Sequence, residues 1–131
     1  MIRTRFFEPA DGGAKEGWIG PGRQVADLVE EVLGRSSKRG HPAAEVIRED
    51  GSSLSVGTDG EWAVLVWVDS LGDSHHSVGH GDGSHLVYDY FGSWSEAPSD
   101  WQVPIALAVD AMEQFVQHGT PVTERVIFQP D

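Results

Sequence analysis

Apolar residues concentrate most strongly in the run Trp62-Ala63-Val64-Leu65-Val66-Trp67-Val68. Trp62, Val64, Val66 and Val68 point one way along an extended chain, and Ala63, Leu65 and Trp67 the other. A strand apolar on both faces belongs in the interior of a sheet, with cover on each side. Two half-polar runs follow, Ser74 to Gly79 and Ser84 to Gly92. They are separated by the turn signals Leu71-Gly72-Asp73 and His80-Gly81-Asp82-Gly83. Residues 61–92 therefore read as three consecutive strands of an antiparallel meander. Upstream, Ala43 to Asp50 alternates and Leu54 to Gly57 is a short strand. Asp50-Gly51-Ser52 and Thr58-Asp59-Gly60 supply the turns around it. Val122 to Phe128 reads as a last strand.

Two stretches carry the helical period instead. Val25, Leu28, Val29, Val32 and Leu33 recur at helical spacing between Arg23 and Leu33, and Gly34 supplies a stop. Ile105, Ala108, Val109, Met112, Phe115 and Val116 form a second stripe, opened by Pro104 and closed by Gly119. Residues 1–22 show little periodicity and are expected to be irregular, with Trp18-Ile19 as a short edge strand or an anchor. Each helix has one apolar stripe, so both should pack on one face of the sheet. The expected fold is α+β: a mostly antiparallel meander sheet of about five to six strands with two helices on one face. At 131 residues the chain is expected to be a single domain, 1–131.

Composition narrows the chemistry. There is no cysteine, which removes disulfides, thiolate metal ligands and a Cys nucleophile. The N-terminus has no apolar signal segment and no apolar run reaches membrane length, so a soluble, cytoplasmic protein is expected. The net charge of −12 is unevenly placed. Residues 1–50 hold 8 Lys/Arg against 9 Asp/Glu, whereas residues 51–131 hold 1 against 12. No Lys or Arg occurs between Arg48 and Arg125. Such a surface repels nucleic acid and anionic membranes and attracts a basic protein.

Three constellations could carry chemistry. His75, His76, His80 and His85 lie close to Asp69, Asp73, Asp82 and Asp89, and imidazoles with carboxylates can bind zinc or nickel. Adjacent strand residues point to opposite faces, however, so His75 and His76 cannot chelate one ion without a bulge. A small metal-dependent hydrolase built on this meander is one alternative; a generic acidic interaction module is another. Gly79-His80-Gly81-Asp82-Gly83 lacks the lysine and the following helix of a phosphate loop, and reads as a flexible hairpin tip. Trp94 stands in a loop among acidic residues, where it can be an interface anchor or a lid on the core.

The series Leu54-Ser55-Val56-Gly57, Trp62 to Trp67, His76-Ser77-Val78-Gly79, Leu86-Val87-Tyr88-Asp89-Tyr90-Phe91-Gly92, Glu96-Ala97-Pro98, Val103-Pro104 and Phe115-Val116-Gln117-His118-Gly119-Thr120-Pro121 resembles the Imm type-one immunity protein family of bacterial polymorphic toxin systems. The likeness covers roughly residues 24–129. Phe128 departs from a tryptophan common at that position in the family. The resemblance implies an α+β inhibitor encoded beside a secreted toxin, with no catalytic residues and no cofactor. Toxins paired with such proteins include nucleic-acid deaminases and nucleases. A toxin of that kind needs a basic groove, which an acidic partner complements. The expected partner is therefore a toxin domain with a basic surface, not nucleic acid and not a membrane. Asp69, Asp73, Asp89, Trp94 and Glu96 are the candidate contacts, chosen for their positions at strand ends and loops of the acidic region.

Overall fold

A computed structural model describes residues 2–8, 13–19, 27, 43–59, 61–81, 83–90 and 93–131. The interior strand is where the apolar pattern puts it: β5, Trp62–Val68. It pairs antiparallel with β4 (Ser53–Thr58) from Ala63 to Val68 on one side. On the other side its C-terminal half pairs with β6 (Ser74–Val78) and its first two residues with β9 (Val103–Pro104). Beyond β4 lies β3 (Ala43–Ile47), and beyond β6 lies β10 (Ile127–Pro130).

The N-terminal segment corrects one expectation. The described residues of the 1–22 segment are not irregular: Ile2–Glu8 (β1) and Gly13–Ile19 (β2) form an antiparallel pair in register from Ile2↔Ile19 to Glu8↔Gly13. β1 also pairs with β3, so the hairpin extends the sheet. With β9, the sheet counts eight strands, in the order β10-β6-β5-β4-β3-β1-β2. Every pairing in it is antiparallel.

The meander expectation also needs correction. The run after β6 forms β7 (Leu86–Tyr90), which leaves the sheet and pairs with β8 (Ser93–Ala97) in a separate two-stranded hairpin. The reason is that β6 already has β5 on one side and β10 on the other. The glycine-rich connection is not a flexible tip either. Gly79 N–H donates to Asp100 O, Gly81 N–H to Ser99 O, and Gly83 N–H to the Ser99 hydroxyl. This pins the loop to a 3-10 turn at Ser99–Trp101. A Cβ on Gly79 would lie 2.1 Å from the Gln102 carbonyl oxygen, so close backbone approach is what demands glycine there.

Each face of β5 has its own cover. On one face Ala44, Val46, Leu54, Val56, Ala63 and Leu65 pack against Ala108, Ala111, Met112 and Phe115 of α1 (Ile105–His118). On the other, Val64 packs with Leu86 and Ala97 of the β7–β8 hairpin, flanked by Trp62, Tyr88 and Trp101. Helix α1 starts after Pro104 and stops at Gly119, which is left-handed at φ 81°. Arg48 Nη1 donates to the Phe115 and Val116 carbonyls at 2.9 and 2.6 Å, adding a charged donor at the helix end, where Gly119 N–H also donates to Phe115 O at 2.8 Å. Among the described residues α1 is the one helix on the sheet; the helix expected from Arg23 to Leu33 lies outside them, apart from Asp27. The last strand begins later than Val122. The Thr123 hydroxyl accepts from Arg125 N–H and Val126 N–H, closing a turn before the chain extends.

Where β6 diverges from β5, the ladder needs a splice. The Leu65 N–H donates to the Ser77 hydroxyl at 3.0 Å, and that hydroxyl donates to Trp101 O at 2.6 Å. One buried serine thus joins β5, β6 and the turn that carries the hairpin.

Candidate partner-binding surface

The five candidate residues fall on two elements. Asp69 and Asp73 bracket the β5–β6 turn. Asp69 N–H donates to Asp73 O at 2.9 Å and Gly72 N–H to Asp69 O at 3.0 Å. The Asp69 carboxylate works inside this turn: Oδ1 accepts from Leu71 N–H and Asp73 N–H at 2.9 and 3.0 Å. Its Oδ2 lies 3.1 Å from His75 Nε2. The hydrogen bond from His75, followed by that from Asp73 N–H, holds the Asp69 carboxyl below the usual carboxylate range. The structure thus gives Asp69 a positioning task that its sequence position did not reveal. Asp73 is exposed beside it.

Asp89, Trp94 and Glu96 lie on the β7–β8 hairpin. Asp89 stands opposite Trp94 in the register, and Glu96 opposite Val87. Glu96 is exposed, 3.5 Å from the exposed His85 Nδ1. Trp94 therefore sits in a strand and not in a loop.

A groove of about 250 Å³ links the two elements. Its floor includes Ser53, Ser55, Val66 and Val68, and Tyr88 and Ser95 of the hairpin form a wall. Val68 directly precedes Asp69, and Ser95 directly precedes Glu96, so the groove runs between the segments that carry the candidates. It lies on the hairpin side of the sheet, where the hairpin covers Val64 and leaves Val66 and Val68 half-buried. This face is not purely acidic. Arg5 stands opposite Glu45 on it, with Nη1 3.6 Å from Glu45 Oε2.

The histidines are divided between faces, as strand alternation requires. His75 stacks on Trp67 with centroids 4.6 Å apart, on the helix side. His76 stacks on Trp101 at 4.0 Å, on the hairpin side, and its Nδ1 lies 2.5 Å from Asp131 Oδ1. Burial raises the Asp131 carboxyl pKa, but hydrogen bonds with Ser74 and His76 outweigh it, and the net shift is downward. Each of these imidazoles thus has its own aspartate and its own indole. Among the described residues no group of three or more His, Asp or Glu is placed to hold a metal ion.

The sequence reading passed over one feature of this surface. Leu71, between the two turn aspartates, is 86% exposed. The available signal was a leucine in a turn whose other members, Asp69, Ser70, Gly72 and Asp73, are ordinary turn residues.

A family model described as Immunity protein Imm1 matches residues 22–124. The matched span contains all five candidate residues, the groove and helix α1. No curated protein matches the chain.

Proposed function

The chain belongs to the Imm1 immunity protein family, and from that premise we propose that it binds a cognate bacterial toxin and neutralises it by steric occlusion. Membership in the family is the observation that carries the inhibitory role. The finer reading is that the toxin acts on nucleic acid, as a deaminase or a nuclease, and meets the inhibitor through a basic surface. Its support is charge. A phosphate-binding groove must be basic, and this chain holds no Lys or Arg from residue 49 to residue 124. Complementary fields speed encounter and fix orientation.

The docking face in this reading is the groove with its two flanking elements. The β5–β6 turn supplies Asp73, braced by Asp69, and the hairpin supplies Asp89, Trp94 and Glu96. Arg5 sits toward the far side of the sheet, two strands beyond β4, so the acidic end of the face is the one formed by the turn and the hairpin. The inhibitor acts in the cytoplasm of the cell it protects, by covering the toxin and without catalysis or a cofactor.

Co-expression tests this directly. The toxin domain encoded beside this chain is expressed in a bacterial host with and without it. The expected result is rescue of growth together with a stable purified complex. Growth arrest in the presence of abundant, folded chain overturns the proposal.

A further inference from the structure

An inhibitor that occludes a surface needs at least one side chain that is fully desolvated on binding, because a few buried anchors carry most of the energy of an interface. We propose that Leu71 is that anchor, inserted into an apolar pocket of the toxin that is rimmed by Lys or Arg, and that Asp69 is the positioning residue that holds it out. This proposal rests on the inhibitor reading above.

Single exposed apolar side chains are common and need no explanation. Leu71 differs in three ways. It is the most exposed of the described large apolar residues, ahead of Ile127 at 57%. It occupies a turn position where small or polar residues are the default. And the backbone beneath it is fixed. Asp69 closes the turn with four hydrogen bonds of 2.9 to 3.0 Å through its backbone and its Oδ1. Gly72 supplies the left-handed residue at φ 90° that the turn requires. The outer oxygen of Asp69 engages His75, which stacks on Trp67, and Trp67 packs against the helix-side core. A continuous chain of contacts therefore runs from the core to the turn that presents Leu71.

That continuity matters energetically. A leucine on a loose loop would lose conformational freedom on docking, whereas one on an ordered turn has already lost it during folding. The partner's chemistry follows from the neighbours. Asp69 and Asp73 bracket Leu71, and the turn contains no base. A plain apolar pocket would have to desolvate the exposed Asp73 carboxylate without compensation, so the matching pocket has cations at its rim. Asp69 engages one carboxylate oxygen inside the turn and the other with His75 of β6, which leaves Asp73 as the residue of the pair suited to direct charge contact.

The test uses the full chain and a catalytically inactivated form of the toxin domain encoded beside it, with affinity measured by calorimetry and kinetics by surface plasmon resonance. Leu71→Ala should weaken Kd about tenfold or more, mainly through faster dissociation. Its melting temperature should stay within about 2 °C of wild type, because an exposed side chain contributes little to folding. Asp69→Ala removes the acceptor that orders the turn and should weaken binding by a similar factor. Asp69→Asn keeps an amide oxygen for Leu71 N–H and Asp73 N–H while removing the charge, and should restore most of the affinity. Wild-type binding with Leu71→Ala unchanged overturns this proposal alone. Asp69→Asn as weak as Asp69→Ala overturns the positioning role. Absence of any binding by the wild-type chain overturns the inhibitor reading, and the anchor falls with it.

Discussion

Gly57→Ala should unseat the β7–β8 hairpin while leaving the main sheet intact. Gly57 lies on the groove face of β4, opposite Val64 in the register, and the Tyr88 ring rests directly on it. A Cβ there would stand 2.4, 2.5 and 2.6 Å from Tyr88 Cδ2, Cε2 and Cγ. Because Cγ is among the atoms met, swinging the ring tip away does not relieve the overlap; the whole side chain has to move. Gly57 is not among the positive-φ glycines, so alanine suffers no backbone penalty at this site. Its lower unfolded-state entropy is worth about 0.4–1 kcal/mol in favour of folding. Overpacking costs about 1–3 kcal/mol, so net destabilisation of about 1–2 kcal/mol is expected. The cost should fall on the hairpin, which among the described residues shares no strand ladder with the sheet. Its described ties include the Leu86–Ala97–Val64 cluster and the Gln102 side chain, which donates to Ser84 O and Ala97 O at 2.8 and 3.3 Å. Hydrogen exchange is the assay. Hairpin amides should lose protection while β4 and β5 amides change little, and the double variant with Tyr88→Ala should be no less stable than Tyr88→Ala alone. Wild-type stability with unchanged hairpin protection would refute the steric reasoning.

Three further outcomes follow from the same geometry. Arg48→Met keeps an apolar stem but leaves the Phe115 and Val116 carbonyls without their charged donor; a loss of about 2–3 kcal/mol is expected in urea unfolding, and a loss under 0.5 kcal/mol would mean that solvent replaces the cap. Acid should destabilise the fold along a particular limb. The carboxyls of Asp50, held down by the Ser52 hydroxyl and N–H, of Asp69 and of Asp131 all sit below their ordinary value of 3.8, so their contributions are full above about pH 5 and are lost as pH falls through the depressed values. Urea midpoints should be flat from neutral pH to about 5 and then drop, and Asp50→Asn should make that drop shallower. Finally, reversing charge at Asp89 and Glu96 together should slow association with the toxin domain about tenfold at low salt and flatten its salt dependence; unchanged rates would remove those two residues from the interface.

Much of the fold was legible because its periodicities are strong. The double-faced apolar run of β5 requires cover on both sides, and both covers are present, α1 on one and the hairpin on the other. The helix with its Pro104 start and Gly119 stop was readable for the same reason. Three features were not. β1 and β2 carry no clean alternation, and what makes them strands is the open edge of β3, a partner far along the chain. The fate of β7 depended on β10 taking the outer edge of β6, which no local pattern encodes. The glycines at 79 and 81 looked like a loose tip because a sequence does not show that Gln102 lies against them. Of the candidate residues, Asp73 and Glu96 were chosen for strand-end and loop positions in the acidic region, and both are exposed. The different role of Asp69 depends on hydrogen bonds to its own turn, and Leu71 was passed over because an apolar residue in a turn matches no strand or helix pattern.

The two faces of the sheet differ in a way that bears on what the hairpin side is for. On β4 the residues facing the helix are Leu54 and Val56, and those facing the groove are Ser53, Ser55 and Gly57. On β5 both faces are apolar. A face meant to be permanently buried would have apolar residues on both strands, and one meant only for solvent would have polar residues on both. The groove side alternates valines with hydroxyls, so water wets it and a partner can also cover it without stranding many unsatisfied groups. An inhibitor has to meet both conditions, remaining soluble alone and complementary when bound. The hairpin covers Val64 and stops short of Val66 and Val68, which leaves this mixed strip open beside the turn that presents Leu71. In the inhibitor reading, the unfinished cover is therefore where the toxin completes the packing of the sheet.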